Sequence, residues 1–540
     1  MDRGRLAGRT NVESWRGFLE AVRESPEEDL DRLAWADWYE DHGEEDRATF
    51  IRAQVRAARL PDDAVRDALE DQADDLLLRH ERDWLDGLDC LACDWHWHRG
   101  LLEGVTLPAA NLREGLPLLD RLPIRSVRLL GSERSYQASS DWSGWRYVER
   151  LDLGRHPQTL PGLSLPNYRD SAFEGLLHHA PLERLRYVRL SGHEITLPTI
   201  QRLLERHWQQ LKGLDVTGCS TFGDRATRLL SETSAPSLET LNLAHTNVSD
   251  GGIRIALGTK SWPALRCLHV SLSALFRRGV SAELFRETLL EAPLLPQLGI
   301  VDFSHRSVDA ALLSLLLAWP RLGPIEELNL ADCHLGQAEM RVLADWPGLL
   351  QVRRLNLSSN PFGDAGLIEL LASPYLGGLR ELFLSHNRLG GASLQRLYHH
   401  PELSRLKRLH LDGNFIGFAG LKLLAESPLR PVELSLAHGM LSSASGTVLA
   451  QSPAFERLRV LRLQGNRLGD EGVRRLSAGP SLRRLRVLGL EANDLDSPSL
   501  QPLGDRDAWP LLRILSVGLN HFSLAEKAFL RERYRHGLIG

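Results

Sequence analysis

Residues 379–389 read LRELFLSHNRL. Leucine stands at the first, fourth and sixth positions, asparagine at the ninth and leucine at the eleventh. The same L-x-x-L-x-L-x-x-N-x-L template fits LKRLHLDGNFI from Leu406, LRVLRLQGNRL from Leu458 and LRVLGLEANDL from Leu485. First positions fall mostly 27 residues apart, and the frame runs back through Val352, Ile325 and Leu298 and on to Leu512. The unit at Pro431 (PVELSLAHG) starts two residues early and has Gly439 in the asparagine slot. Further segments begin near Leu265, Leu238, Leu211, Leu185, Val148, Ile124 and Leu102, for about sixteen units in all. The earliest are irregular, with insertions around 132–147 and 156–172.

One unit explains the period. Alternation in L-x-L makes a short strand with one face buried and one exposed. The ninth-position asparagine is expected to bond backbone groups of its turn and of the next unit; buried without them it would cost roughly 1–3 kcal/mol. Cys219 and Cys333 occupy the same slot. The second half of the unit is helical. In NPFGDAGLIELLASP, Asp364 is placed to cap a helix start, Leu367, Leu370 and Leu371 follow at helical spacing, and Pro374 ends it. RLGDEGVRRLSAGP (467–480) repeats this grammar with Asp470, Val473 and Leu476. One strand and one helix cannot bury their apolar faces alone, so the units must stack, with parallel strands on the concave side.

These units resemble ribonuclease-inhibitor-type leucine-rich repeats, in which a helix follows each strand. The asparagine-or-cysteine slot and the G-D-x-G helix entries (Gly363–Gly366, Gly469–Gly472) carry the likeness, which spans roughly residues 100–520. It implies an α/β solenoid, a curved parallel sheet inside and helices outside. It also implies protein binding, and little else about function.

Residues 13–60 lie off the repeat and show helical periodicity in pieces. Phe18, Leu19 and Val22 make one stripe, and Leu30, Leu33, Ala34 and Trp38 a second. Pro26 fits a helix start after Ser25, with Glu28 as a capping-box partner. Gly43 ends that helix, and Phe50, Ile51 and Val55 begin a third. The stretch resembles the repeat-companion domain, a short module ahead of repeats in bacterial, mostly planctomycete, proteins. The carrying residues are Phe18-Leu19, the run Arg32 to Trp38, Gly43, Arg47-Ala48 and Phe50 to Gln54, with RHERDWLDGL (79–88) and HRGLLEGVTL (98–107) further on. Trp35 stands where Val or Tyr is expected. The resemblance imports organisation and no reaction. The expected layout is a tail (1–12), a helical cap (13–99), the repeat array (100–520) and a C-terminal capping helix (521–540).

Two clusters invite chemistry. Asp37 and Asp41 are four apart, on one helix face. Acid–base work by that pair would need a pocket and a further reacting group. The plainer reading packs Trp35, Trp38 and Tyr39 while Asp37, Glu40 and Asp41 face solvent or bond Arg47 and Arg52. In DCLACDWHWHRG (89–100), Cys90, Cys93, His96 and His98 are all residue types that suit tetrahedral zinc. Their crowding into one short segment is unusual for such a site. The other reading is a strand at the sheet edge, with Trp95 and Trp97 closing the first repeat.

Composition narrows the function. Over 540 residues, 43% are hydrophobic, 25% charged and the formal charge is −5, so strong nonspecific attraction to nucleic acid or anionic membrane is not expected. MDRGRLAGRTNVESW lacks the apolar core of a signal peptide, and AALLSLLLAW (310–319) is about half a membrane span. Five cysteines without framework spacing fit a reducing cytoplasm. Outward strand positions tile the concave face: Glu327, Asn329, Arg354, Asn356, Glu381, Phe383, Arg408, His410, Asp412, Glu433 and Arg462. The third positions alternate in charge. Phe383, with Arg354, Arg408 and His410, is expected in a partner footprint, because aromatics and arginines dominate interface hot spots. Eighth-position histidines (His245, His305, His386, His438) are expected as turn residues. The reading is a monomeric, non-enzymatic scaffold without cofactor that binds a protein. The rival is a metal-dependent or hydrolytic activity in residues 13–100, with zinc at the Cys/His cluster and the repeats selecting substrate.

Overall fold

A computed structural model describes residues 14–61, 64–130, 143–154, 180–207, 209–269, 300–302, 304, 308–318, 325–534 and 537–539. The expected N-terminal tail, most of the 132–172 insertions and His305 lie outside these. The chain forms two compact units, Met1–Leu153 with Ser171–Tyr187, and Gly154–Asp170 with Val188–Gly540. The first strands of the array thus compact with the N-terminal helices, beyond the expected 99/100 boundary.

In the first unit, helices α1 (Ser14–Glu24), α2 (Asp29–Asp41), α3 (Glu45–Arg59) and α4 (Ala64–Leu85) precede strands β1 (Asp94–His98) and β2 (Leu101–Pro108). β1 and β2 pair antiparallel; β2 then pairs parallel with β3 (Ser126–Leu130), and β3 with β4 (Arg150–Asp152). The β1–β2 turn is tight, with Arg99 at φ 47° and Gly100 at φ 83°. A Cβ on Gly100 would also lie 2.3 Å from the Ile51 backbone, so glycine is required there on both counts.

The helical core gathers Leu19, Val22, Trp35, Ala36, Ala48, Ile51, Val55 and Leu101. Leu33 and Trp38 of the expected second stripe pack against it, partly buried, but Leu30 does not join them. Helix α2 buries Asp29, Arg32, Trp35 and Ala36, whereas Leu30 is 75% exposed. The helix also begins at Asp29, with Glu28 extended at its N-cap and no side-chain cap. Arg32 turns inward with this face and is fully buried, where it finds partners. Its guanidinium reaches Glu103 of β2 at 2.5 Å and the Pro26 carbonyl at 2.8 Å. Arg125 continues the chain of charge to Glu103 (3.4 Å), Glu149 (2.8 Å) and Glu27 (2.7 Å).

The second unit is a leucine-rich-repeat solenoid. From Gly213–Asp215 to Ile514–Ser516, neighbouring strands run parallel, and a short strand at Leu538–Ile539 closes the series. From the Glu327–Asn329 strand onward the register is uniform: Leu328, Leu355, Leu382, Leu409, Leu434, Leu461, Leu488 and Leu515 face one another and are at most 1% exposed. A helix follows each of these strands, such as Gly363–Leu370 after Arg354–Asn356 and Gly469–Ser477 after Val460–Arg462. The helix Leu524–Tyr534 lies inside the expected capping segment.

Two polar ladders tie the repeats together, and both run differently from expectation. The asparagines reach back to the preceding unit. Asn360 accepts from the backbone N–H groups of Cys333 (2.9 Å) and Leu335 (3.0 Å) and donates to the Leu330 carbonyl (2.9 Å). Asn414, Asn466, Asn493 and Asn520 repeat the arrangement toward the C-terminus, while Asn387 keeps the accepting bond, from Asn360 N–H. The G-D-x-G aspartates reach forward. Asp364 does not cap its own helix; it accepts from Gly390 N–H at 2.7 Å and from the Ser393 hydroxyl, at the start of the next one. Asp470 does the same for Asp496 (2.9 Å) and Ser499.

Candidate functional site

Among the described residues from Glu327 to Arg462, most third and fifth residues of the repeats lie partly exposed on the face of the sheet opposite its buried leucines. The register places Glu327, Arg354, Glu381, Arg408 and Glu433 directly side by side. At the spacing of adjacent strands opposite charges can pair, and they do. Arg354 reaches Glu327 at 3.2 Å and Glu381 at 2.5 Å. Arg408 reaches Glu381 at 2.9 Å and Glu433 at 3.4 Å. His410 meets Glu433 at 2.9 Å, and Arg462 closes on the same carboxylate. Burial would raise the Glu433 carboxyl, but His410 and Arg462 outweigh it and hold it at about 2. Arg354 is held above its usual range by Glu327 and Glu381, against the opposing effect of burial.

Phe383 sits in the middle of this ladder, half-buried. Its ring packs edge-on against His410, centroids 4.6 Å apart at 71°, and the Arg354 guanidinium lies 5.8 Å from its centre. The structure therefore brings Phe383, Arg354, Arg408 and His410 into one continuous patch.

Three expected footprint residues are occupied otherwise. Asn329 and Asn356 accept from the backbone two residues ahead, Ala331 and Ser358, at 3.1 Å each. Asp412 accepts from Ser435 (2.5 Å), Ala437 N–H (2.7 Å) and Ser385 (3.2 Å). These side chains hold strand-end turns. The eighth-position histidines are turn residues as well: His245, His386 and His438 have φ of 55°, 58° and 51°.

The N-terminal clusters behave differently. Arg52 binds Asp37 at 2.6 Å and Glu40 at 2.5 Å, while Asp41 is exposed. Arg47 is instead buried, its guanidinium 4.6 Å from Trp84 and 4.7 Å from Trp97. Cys90, Cys93, His96 and His98 do not converge. Cys90 ends a short helical turn, Cys93 is buried just before β1, and the His96 and His98 rings stack 6.3 Å apart on that strand. Burial and Asp94 push the Cys93 thiol up to about 12, and burial, with Arg32 and Arg99, draws His98 down to about 4. Among the described residues, no three His, Cys, Asp or Glu side chains gather as a metal would need. β1 is an antiparallel strand whose Trp95 and Trp97 indoles both donate to Glu81 at 3.0 Å.

Glu491 and Gln464, at seventh positions nearer the C-terminus, were missed by the strand pattern. Glu491 is buried, with Ser516 and Gln464 hydrogen-bonded to its carboxyl, and burial still raises that carboxyl. The one sequence signal is Gly489 beside them, where a side chain is missing from the face.

The Leucine Rich repeat family model matches residues 234–254, 352–371 and 458–477. No curated protein matches the chain. Among solved structures, an internalin from Listeria monocytogenes is similar at 18% identity and TM-score 0.30, covering 66% of this chain and 80% of its own. A leucine-rich-repeat protein of Leptospira interrogans is similar at 19% and 0.31 (74% and 91% covered), and the Rad7–Elc1 complex of yeast at 15% and 0.36 (68% and 77%). Among the described residues, no helix is long and apolar enough to cross a membrane.

Proposed function

We propose that the chain is a non-enzymatic, monomeric, cytoplasmic scaffold of bacterial type. It binds a protein partner on the open face of its repeats, the face expected to be concave. Leucine-rich repeats generally serve protein–protein interaction, and the chain carries them. The observation that supports this placement is Phe383, an aromatic on the side of the sheet opposite its buried leucines, flanked by Arg354 and His410. Its position gains nothing from the core, whereas a partner would bury it together with partly neutralised arginines. The ladder fixes those side chains before binding, which lowers the ordering cost of association. Among the described residues the cysteines form no disulfide.

Crosslinking with mass spectrometry in the native host tests the reading. A reproducible partner should crosslink near residues 354–410 and be lost with Phe383→Ala combined with Arg408→Ala. A chain without any reproducible partner, or one crosslinked only through the helix face, would overturn it.

A further inference from the structure

One stretch of the array departs from its own pattern, and the departures fall together. In the repeat that begins at Leu406, Phe418 stands where Asp364 and Asp470 stand in theirs, at the same distance past the ladder asparagine. Those aspartates bind the start of the next helix, through Gly390 and Ser393 and through Asp496 and Ser499. The equivalent groups in the repeat after Phe418 are present: Ser442 N–H donates to the Ser445 hydroxyl at 3.3 Å. The chain thus forgoes an available coupling between repeats and carries a phenylalanine, 44% exposed, in its place.

The loops that follow the strands continue the departure. The residue after the ladder slot is Phe415 in this repeat and Met440 in the next, 62% and 68% exposed. The same position carries Arg388 one repeat earlier and Arg467 one repeat later. Both arginines are exposed, and neither has an acidic partner among the described residues. Backbone hydrogen bonds run across the row: Phe415 N–H to the Leu389 carbonyl, Gly417 N–H to Gly439 and Arg467 N–H to Leu441, each at 2.9 Å. Two apolar side chains therefore lie between two unpaired cations, with Phe418 in the first turn of the adjoining helix. Core burial accounts for none of the three apolar side chains.

We propose that this row of loops docks an acidic–apolar segment of a partner protein. Its bulky apolar residues cover Phe415, Phe418 and Met440, and an Asp or Glu on either side meets Arg388 and Arg467. The surface is separate from the Phe383 ladder and does not depend on it. Guanidinium and carboxylate pair through two parallel N–H bonds, and that geometry fixes the register of the segment. Methionine adapts its shape to the apolar residues laid on it. The three repeat steps from Arg388 to Arg467 span roughly 15 Å at the spacing of adjacent strands, which an extended segment crosses in about five residues. An anionic bilayer fits less well, because it has no ends. It would also meet exposed Asp494, which holds the same position one repeat beyond Arg467.

Phe418→Asp in the full chain gives the first readout. It puts back an aspartate opposite Ser442 and Ser445, so the melting temperature is expected to hold or rise. A fall of more than a few degrees would make Phe418 a packing residue and overturn the proposal. The second readout pans a display library of random dodecapeptides. Recovered peptides are expected to carry bulky apolar residues with Asp or Glu on both sides. They should lose at least about tenfold in affinity on Phe418→Asp or Met440→Ser. Arg388→Glu should weaken them too, and a Lys in place of the matching peptide acid should restore binding to that variant, which a structural role for Arg388 would not produce. Peptides without acids, or peptides indifferent to Phe418→Asp and Met440→Ser, would sink the proposal; if they need Phe383 and Arg408 instead, the ladder footprint stands alone. No enriched peptide would also count against it. Self-association in sedimentation, lost with Met440→Ser, would give the row to a second copy. Binding to phosphatidylserine vesicles, lost with the same variant, would give it to a membrane. Either result overturns the partner segment.

Discussion

The side-chain oxygen of Asn414 accepts the backbone N–H of Asn387, 27 residues earlier, at 3.0 Å. The same side chain accepts from Leu389 and donates to the carbonyls of Leu384 and Leu411, at 2.9 to 3.0 Å. One buried amide therefore satisfies four backbone groups across a repeat junction. Asn414→Ala leaves all four without partners, and a loss of at least about 3 kcal/mol is expected in urea unfolding. A loss under about 1 kcal/mol would mean the junction finds other partners.

Asp364 couples repeats in the opposite direction, through Gly390 and Ser393. Asp364→Ala should cost about 1 kcal/mol, the usual worth of a helix N-cap. Amide exchange should quicken in Gly391–Tyr398, the helix it holds, and not in Gly363–Leu370, the helix it belongs to. Quickening confined to Gly363–Leu370 would restore the local-cap reading.

Glu433 sets a pH window. Its carboxyl ionises at about 2 in the folded chain against an ordinary 4.5. The folded state therefore favours the charged form. Its contribution is complete above pH 4.5 and is lost as the pH falls toward 2, with about 3 kcal/mol as the upper limit. Glu433→Gln should flatten this part of the acid unfolding curve. An unchanged curve would show that the His410 and Arg462 contacts do not hold in solution.

Phe383→Ala separates binding from folding. The ring lies on the face opposite the buried leucines, so stability should change by less than about 1 kcal/mol. Affinity for the partner should fall at least about tenfold. Equal losses in melting temperature and binding would make Phe383 a packing residue instead.

Chelation addresses the Cys90, Cys93, His96 and His98 segment. Cys93 is buried, and the four side chains do not converge. Dialysis against a chelator should leave the melting temperature unchanged. A fall on chelation, reversed by zinc, would put a metal there and revive a chemical role for the N-terminal unit.

The sequence by itself determined the repeat. Leucines at fixed spacing cannot be buried except by stacking, so strand, turn and helix could be located within a few residues, as could the face carrying Glu327, Arg354, Glu381, Arg408 and Phe383. The eighth-position turn was legible for the same reason. Tertiary structure alone decided the partners of polar groups. Asn360 and Asp364 satisfy units on opposite sides, and nothing in either motif states the direction. Arg32 and Glu103 lie 71 residues apart and appear as surface charges in a linear reading, yet they pair inside the first unit. Glu491 reads as an ordinary polar position; its burial beside Gln464 and Ser516 depends on residues of adjacent repeats. Apolar burial follows composition along the chain, whereas a hydrogen bond or ion pair requires two atoms within about 3 Å, a condition only the folded backbone sets.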